Sequence, residues 1–293
     1  MKIQCPVCKK TTLKWLLTKN SFTIVKCPNC HFGRLEKPPQ EKKLKEIYSQ
    51  AYFTTGETQL QKGDALKKLR FLKQYIYPPA KILDFGCGLG EFLELAQKHG
   101  FKVYGYDISK YAAGFVSTHH QIPTSSDKLS NKIYPPNYFT AITAFDVIEH
   151  VDRFLELIGL FNYWIKPGGR IFITTPNICS FDAKIFQKKW YGFSKIPQHV
   201  NYFSPQSLRL TLEQKGFQNI KIKNWGFCRS IEFIIQNLSP QQSSWSKTLI
   251  DHKKSSILTK GLLSLTRLFK INKKEVFLPV IEMIGIAQKP KDK

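Results

Sequence analysis

The chain of 293 residues carries 45 Lys and Arg against 21 Asp and Glu, a formal net charge of +24, with 42% hydrophobic residues and seven cysteines. That length suits one large core plus a small module, and the apolar fraction is ordinary for a globular chain. No apolar run is long enough to span a membrane, the opening MKIQCPVC does not read as a signal peptide, and the cysteine pattern argues against disulfides, so a reducing cytoplasm is expected.

Two C-x-x-C knuckles come first, Cys5-Pro-Val-Cys8 and Cys27-Pro-Asn-Cys30, separated by 18 residues. Two equal knuckles at this spacing match a closed four-thiolate zinc cage and argue against a redox C-x-x-C. His31 is a weaker candidate for the fourth ligand. Between the knuckles, Leu13–Thr18 and Phe22–Lys26 predict a hairpin turned at Lys19-Asn20-Ser21. Residues 1–36 thus resemble a zinc ribbon. So short a unit buries too little apolar surface alone, and a structural zinc would supply the missing stability. Residues 37–77 read as a linker around Pro38-Pro39 followed by helices at Glu41–Ser49 and Gly63–Tyr77.

The most informative run is Lys81 to Phe92, KILDFGCGLGEF. Ile82, Leu83 and Phe85 predict a buried strand ending near Asp84. Gly86, Gly88 and Gly90 form a G-x-G-x-G turn, and a helix follows from Glu91. Such a turn sets backbone N–H groups and a positive helix end against a ligand, and lacks the Cβ atoms that would hold it off. The next strand, Lys102-Val-Tyr-Gly-Tyr-Asp107, ends on an acid 21 residues after Gly86. A carboxylate there can accept from two ribose hydroxyls. Asp84 and Glu91 would repel a pyrophosphate, whereas Asp84 attracts an amino group or a sulfonium, so the pocket is read as one for S-adenosylmethionine (SAM) rather than a dinucleotide.

Further strands are expected at 121–125, 138–146, 169–175, 219–227 and 282–288. Strand–helix alternation over residues 78–293 predicts a Rossmann-like α/β domain, a parallel sheet with helices on both faces. Ser204-Pro205 opens a helix that Gly216 ends. Residues 237–277 interrupt the hairpin between the last two strands as a helical insertion. In 258–274, Leu262, Leu265, Leu268 and Phe269 can share a helical face with basic residues around it. It reads either as a helix lying on the inner membrane surface or as a lid buried on the domain or on a second subunit, the lid being favoured.

LDFGCGLGEF at 83–92, VYGYDIS at 103–109, FDVIEHV at 145–151 and IKPGGRIFITTPN at 165–177 stand in the order of the class I SAM-dependent methyltransferases. Over about residues 45–290 the chain resembles that family, and within it the branch of ubiquinone-pathway O-methyltransferases and sugar or small-molecule methyltransferases. The resemblance implies a seven-stranded, mostly parallel sheet with the last strand antiparallel. It implies that Asp84, Gly86, Gly88 and Gly90 meet the methionine part of SAM, Cys87 through its backbone. Asp107 would hold the ribose and Ile108 the adenine, with Phe145 as a further cofactor contact and Asp127 either meeting the adenine amino group or standing as a plain loop carboxylate, the latter favoured. Tyr52 and Phe53, in a Y-x-x-x-Y-F segment, either cover the cofactor or pack on the first sheet helix. Asp146, Glu149 and His150 match an acidic–Glu–His pattern that binds a second metal in the ubiquinone-pathway enzymes; the alternative is a capped, structural turn. His199, in an H-x-x-x-F-S context, is the candidate general base, and Tyr202 either stacks on the substrate or packs the loop.

The implied reaction is methyl transfer to a hydroxyl of a small molecule, a sugar or a lipid-linked glycan. An RNA methyltransferase holding RNA with its ribbon and basic surface is less favoured: the chain has FDVIEH where base-amine enzymes have an N-P-P-Y type motif. The cations are 38 Lys against 7 Arg and are spread along the chain, whereas readers of bases and phosphates lean on Arg. A non-catalytic zinc-ribbon adaptor is a third reading, opposed by the intact glycine turn and Asp107.

Overall fold

The computed structural model describes residues 3–40, 48, 52–53, 62–230 and 275–291. Except for Tyr48, the expected helix at 41–49 lies outside the described residues, as does nearly all of the insertion at 237–277, including 258–274.

Two sheets carry the fold. In the smaller, β1 (Lys14–Lys19) and β2 (Phe22–Lys26) form the expected hairpin, and β3 (Gly33–Leu35) extends it antiparallel. The turn closes because Asn20 and Ser21 both take positive φ, 49° and 63°, which a tight hairpin of matching twist requires.

The larger sheet begins after α1 (Lys62–Leu72). It comprises β4 (Lys81–Phe85), β5 (Lys102–Tyr106), β6 (Thr124–Ser125), β7 (Phe139–Phe145) and β8 (Ile165–Pro176), then β10 (Gln218–Ser230) and β11 (Glu275–Gln288). Their order is β6-β5-β4-β7-β8-β11-β10, parallel except for β11, which runs against both neighbours. This is the expected seven-stranded Rossmann-like sheet. Connecting helices are α2 (Glu91–Lys98), α3 (Lys110–His119), α4 (Phe154–Trp164), α5 (Phe181–Phe186) and α6 (Pro205–Gln214). Leu157, Phe161 and Leu212 from α4 and α6 bury one face of the sheet; Leu69, Phe92 and Leu93 from α1 and α2 bury the other. Central strands covered on both sides must be apolar throughout, as ILDF and TAITAF nearly are. Strand order reverses at β4, between β5 and β7, so a crevice opens beyond the carboxyl ends of β4 and β7.

The N-terminal unit is not a separate bead. β9 (Asn201–Tyr202), from the loop after β8, is the fourth strand of the small sheet, with Gly33 opposite Tyr202 and Arg34 opposite Asn201. Leu35 N–H donates to Val200 O at 2.9 Å, and Arg34 pairs with Asp152 at 2.6 Å. Cys5, Cys27, Cys30 and Phe32 belong to the same core as α4 and α6, with the Phe32 ring 5.3 Å from both Phe154 and Phe203. Gln214 Nε2 donates to Val7 O.

Ser204 has two tasks at this seam. Its Oγ accepts the Ser207 N–H at 3.0 Å, capping α6, and donates to Cys30 O at 2.7 Å. Ser204→Ala removes both bonds in a buried setting and is expected to cost about 1–3 kcal/mol. Urea unfolding measures it; a loss under about 0.5 kcal/mol would mean that neither bond matters.

Candidate active site

β4 delivers Asp84 to the crevice, and the chain then turns through Gly86, Cys87, Gly88 and Gly90 into α2. Gly86 and Gly90 have φ of 77° and 85°; a Cβ on Gly86 would stand 2.5 Å from Val147 Cγ2, and one on Gly90 2.9 Å from Val116 Cγ2. Only glycine fits there. β5 sets Asp107 against the turn. Its Oδ2 accepts the Gly88 N–H at 3.0 Å and its Oδ1 the Ser109 N–H at 2.9 Å. Each oxygen retains a lone pair for a further donor. Ile108, next to it, is exposed.

The crevice is crowded with carboxyls. Burial pushes Asp84 up to about 7, against the pull of the 2.6 Å bond from Thr143 Oγ1 and of Lys68 nearby. Burial also raises Glu91 and Asp107. Lys68 was not anticipated. It is 5% exposed, and its Nζ lies 3.8 Å from Asp146 Oδ2 and 4.7 Å from the centre of the Phe145 ring. In the sequence it is one lysine among many on an amphipathic helix, and only the docking of α1 turns it inward. Burial holds the Cys87 thiol well above its usual range, and the backbone N–H of Cys87 bonds Tyr106 O. Phe145 packs edge-on against Phe92. Asp127 is exposed beyond β6, its Oδ2 accepting from Ser125 Oγ at 2.9 Å.

A second group lies where the turn after β7 meets the loop before β9. Glu149, His150 and His199 each point one ligand-type atom within 4.8 Å of the others. Asp146 is not among them. Its φ is 59°, Thr174 Oγ1 donates to its Oδ1 at 2.7 Å, and its Oδ2 faces Lys68. His199 thus takes the third place that the sequence pattern assigned to Asp146. His199 Nδ1 is 2.9 Å from Gly192 O, and His150 Nδ1 is 3.1 Å from Gln198 O. A carbonyl only accepts, so these bonds put the protons on Nδ1 and leave a lone pair on each Nε2. Burial lowers His199 well below its usual range and His150 to about 4, with Lys195 adding to both. Both imidazoles are therefore neutral at pH 7. Burial and Asp146 push Glu149 well up, and Glu149 Oε2 is buried without a hydrogen-bond partner.

Aromatic side chains close the site. Phe53 is 7% exposed, and its Cε1 is 3.9 Å from where a Cβ on Gly88 would stand, so it covers the glycine turn. Tyr52 stacks edge-on between Phe53 and Tyr48, and Tyr48 Oη lies 2.8 Å from His150 Nδ1. Tyr202 does not face a pocket mouth. It is buried against Phe193, with its hydroxyl donating to His199 O at 3.0 Å.

The four N-terminal thiols also converge, with Cys5 Sγ 3.6 Å from Cys30 Sγ and Cys8 Sγ 3.5 Å from Cys27 Sγ. His31 is exposed and stands outside the group.

The sheet order, the glycine turn and the acid ending the next strand define a class I, Rossmann-like SAM-dependent methyltransferase domain. Residues 58–222, more than half of the chain, match the family model described as a methyltransferase domain, and the chain belongs to that family. It is 29% identical over 160 residues to phosphoethanolamine N-methyltransferase 3 of Arabidopsis thaliana, a match covering 50% of this chain and 31% of that protein. It is 27% identical over 167 residues to a ubiquinone biosynthesis O-methyltransferase of Coxiella burnetii, covering 53% of this chain and 71% of that protein. The chain spans less than a third of the length of the plant relatives it matches. Among solved structures, phosphoethanolamine N-methyltransferase 2 of Haemonchus contortus with bound SAM shares the fold at a TM-score of 0.54 and 17% identity, over 94% of this chain and 71% of that one. A SAM-dependent methyltransferase from Archaeoglobus fulgidus does so at 0.51 and 23%, over 78% and 95%.

The raised Asp84 has a consequence for stability. A carboxyl whose folded pKa exceeds its unfolded one contributes fully below the unfolded value, here 3.8, and loses that contribution as pH rises through about 7. Ligand-free protein should therefore lose stability from pH 5 to pH 8, and Asp84→Asn should flatten the slope. Urea midpoints across that range test it; an unchanged slope in the variant would place the effect elsewhere.

Proposed function

We propose that the protein binds SAM across the carboxyl ends of β4 and β5 and transfers its methyl group to a hydroxyl of a small molecule, a sugar or a lipid-linked glycan. The observation that carries this is Asp107, whose two oxygens tie Gly88, in the bare glycine turn, and Ser109 to one carboxylate and each retain a lone pair for a further donor. The donor set fits the cofactor. Asp107 accepts from the ribose hydroxyls. Asp84, held near its titration point, becomes an anion beside a cationic ligand. Lys68 supplies the buried positive charge that a carboxylate needs. Phe53 excludes water from above the turn. When bound, SAM supplies an electrophilic methyl on a good leaving group, so the chain need only align the acceptor and take its proton.

His199 takes that role. Its Nδ1 proton is spent on Gly192 O, which leaves the Nε2 lone pair as the accepting site, and burial keeps the ring unprotonated in the ligand-free protein. Glu149 and His150 border it. The orphaned Glu149 Oε2 favours a second reading of the same three groups, as two imidazoles and a carboxylate holding a divalent cation that would lower the pKa of an acceptor hydroxyl. The relatives in phosphoethanolamine and ubiquinone synthesis act on small acceptors, which supports that class over RNA. The N-terminal unit is bound into a sheet with β9, which speaks against a free nucleic-acid clamp.

We assign the four thiols to a structural zinc. A tetrahedral cage with Zn–S bonds of about 2.3 Å has sulfurs about 3.8 Å apart, close to the observed spacing. Cys5, Cys8, Cys27 and Cys30 would hold the ion.

Asp107→Ala should weaken SAM binding about a hundredfold or more, while His199→Ala should leave that affinity intact and cut turnover about 10²–10⁴-fold. Calorimetry with SAM and a labelled-methyl assay on extracted metabolites and glycolipids read the two; equal SAM affinity in Asp107→Ala would sink the ribose assignment. Metal analysis should find one zinc per chain. Chelation should speed amide exchange at residues 199–204 while sparing SAM affinity, and protection unchanged on chelation would dissociate the thiols from the site.

A further inference from the structure

We infer that His120 is a positioning residue for the cofactor, fixing the glycine turn that receives the amino-acid end of SAM. The inference rests on the SAM reading given above. His120 caps the C-terminal end of α3, its backbone N–H donating to Val116 O at 3.1 Å. Its side chain reaches back 31 residues along the chain, where Nε2 lies 3.0 Å from the carbonyl oxygen of Leu89, the residue between Gly88 and Gly90. A carbonyl only accepts, so Nε2 carries the proton and donates it. The ring is half-buried and stands edge-on to Phe115, 5.7 Å between centres, which holds its aim.

The turn is therefore held from both ends of α3. At the start of the helix, Asp107 joins the Gly88 N–H to the Ser109 N–H. At its end, His120 takes Leu89 O. These bonds fall on different peptide units, one on each side of the unit joining Gly88 to Leu89. The unit joining Leu89 to Gly90 is tied through both its polar atoms, because the Gly90 N–H donates to Cys87 O at 3.0 Å. Between the two tied units, the Leu89 N–H has no partner among the described residues, which leaves it to a ligand carboxylate. Gly90 serves the same contact. A Cβ there would stand 2.9 Å from Val116 Cγ2 and 3.1 Å from His120 Cδ2, so this glycine is bare toward α3 rather than toward the ligand. At Gly88 a Cβ would meet only Phe53, at 3.9 Å. A turn with three glycines has wide backbone freedom. Without His120, the Leu89 carbonyl is released to rotate toward the crevice, where its oxygen repels a carboxylate.

The test is calorimetric titration of the full chain with SAM and, separately, with methylthioadenosine, which has the adenosine and the sulfur but no amino-acid end. His120→Met keeps most of the volume and removes the donor, whereas His120→Gln keeps an N–H at similar reach. His120→Met is expected to weaken SAM about tenfold and to leave methylthioadenosine within about twofold, and His120→Gln to bring SAM back to within about threefold of the unaltered protein. His119→Ala, in the exposed neighbour, should change neither ligand. If His120→Met does not fold, His120→Asn makes the same comparison, its shorter amide falling short of Leu89. Three results would overturn the assignment: SAM affinity unchanged when the donor is removed, an equal loss for methylthioadenosine, or no rescue by glutamine. An unaltered protein that binds no SAM would instead refute the cofactor reading itself, and this inference with it.

Discussion

One carboxylate organises the cofactor side of this protein. Asp107 sits at the end of β5 and receives N–H groups from two different loops, Gly88 after β4 and Ser109 at the start of α3. Those bonds set the glycine turn against the neighbouring strand end, and they do so by burying a charge. Asp84, buried, and Glu91, half-buried, lie close to the same turn, so the ligand-free crevice gathers carboxyls that burial holds toward their neutral forms and that a cationic ligand would ionise. Lys68 offsets part of their charge. A cleft with this balance is poised for a ligand that is itself both positive and negative, and the methionine end of SAM has that character.

The acceptor side depends on β9. On one edge this two-residue strand pairs with β3 of the cysteine unit. On the other, Val200 N–H donates to Glu149 O at 2.8 Å and Asn201 Nδ2 to Val151 O at 2.8 Å. His199 lies two residues before it, and Tyr202 Oη holds the His199 carbonyl. The cysteine unit, the turn bearing Glu149 and His150, and the candidate base are thus joined by one run of backbone. In this arrangement the unit braces the loop bearing His199, and Arg34 and Ser204 rivet it to the domain.

Much of the site could be read directly from the chain, for local reasons. A strand, a glycine turn and a helix occupy consecutive residues, so the conformations that Gly86 and Gly90 require are written at those positions. Asp107 follows from the length of one helix and one strand. The paired knuckles with a hairpin between them are likewise a short-range pattern. Lys68 was hidden because a buried lysine and a solvated one look alike until a helix docks. Tyr202 stayed open between two readings because aromatic residues in a loop serve a pocket or a core equally well, and pairing with β3 turned it to the core. The triad of Glu149, His150 and His199 escaped because i, i+3, i+4 spacing presumes a regular helix, whereas Asp146 adopts a left-handed backbone and turns its carboxylate toward Lys68.

By itself, then, the sequence determined the succession of strands and helices of a Rossmann-like sheet, the glycine turn, its partner acid and the four-thiolate unit, because periodicity and backbone geometry act over tens of residues at most. Tertiary structure alone decided which side chains gather around Glu149, His150 and His199 and that the N-terminal unit is joined to them. Those contacts join positions from 48 to 207 residues apart, and no local preference records which buried groups will meet.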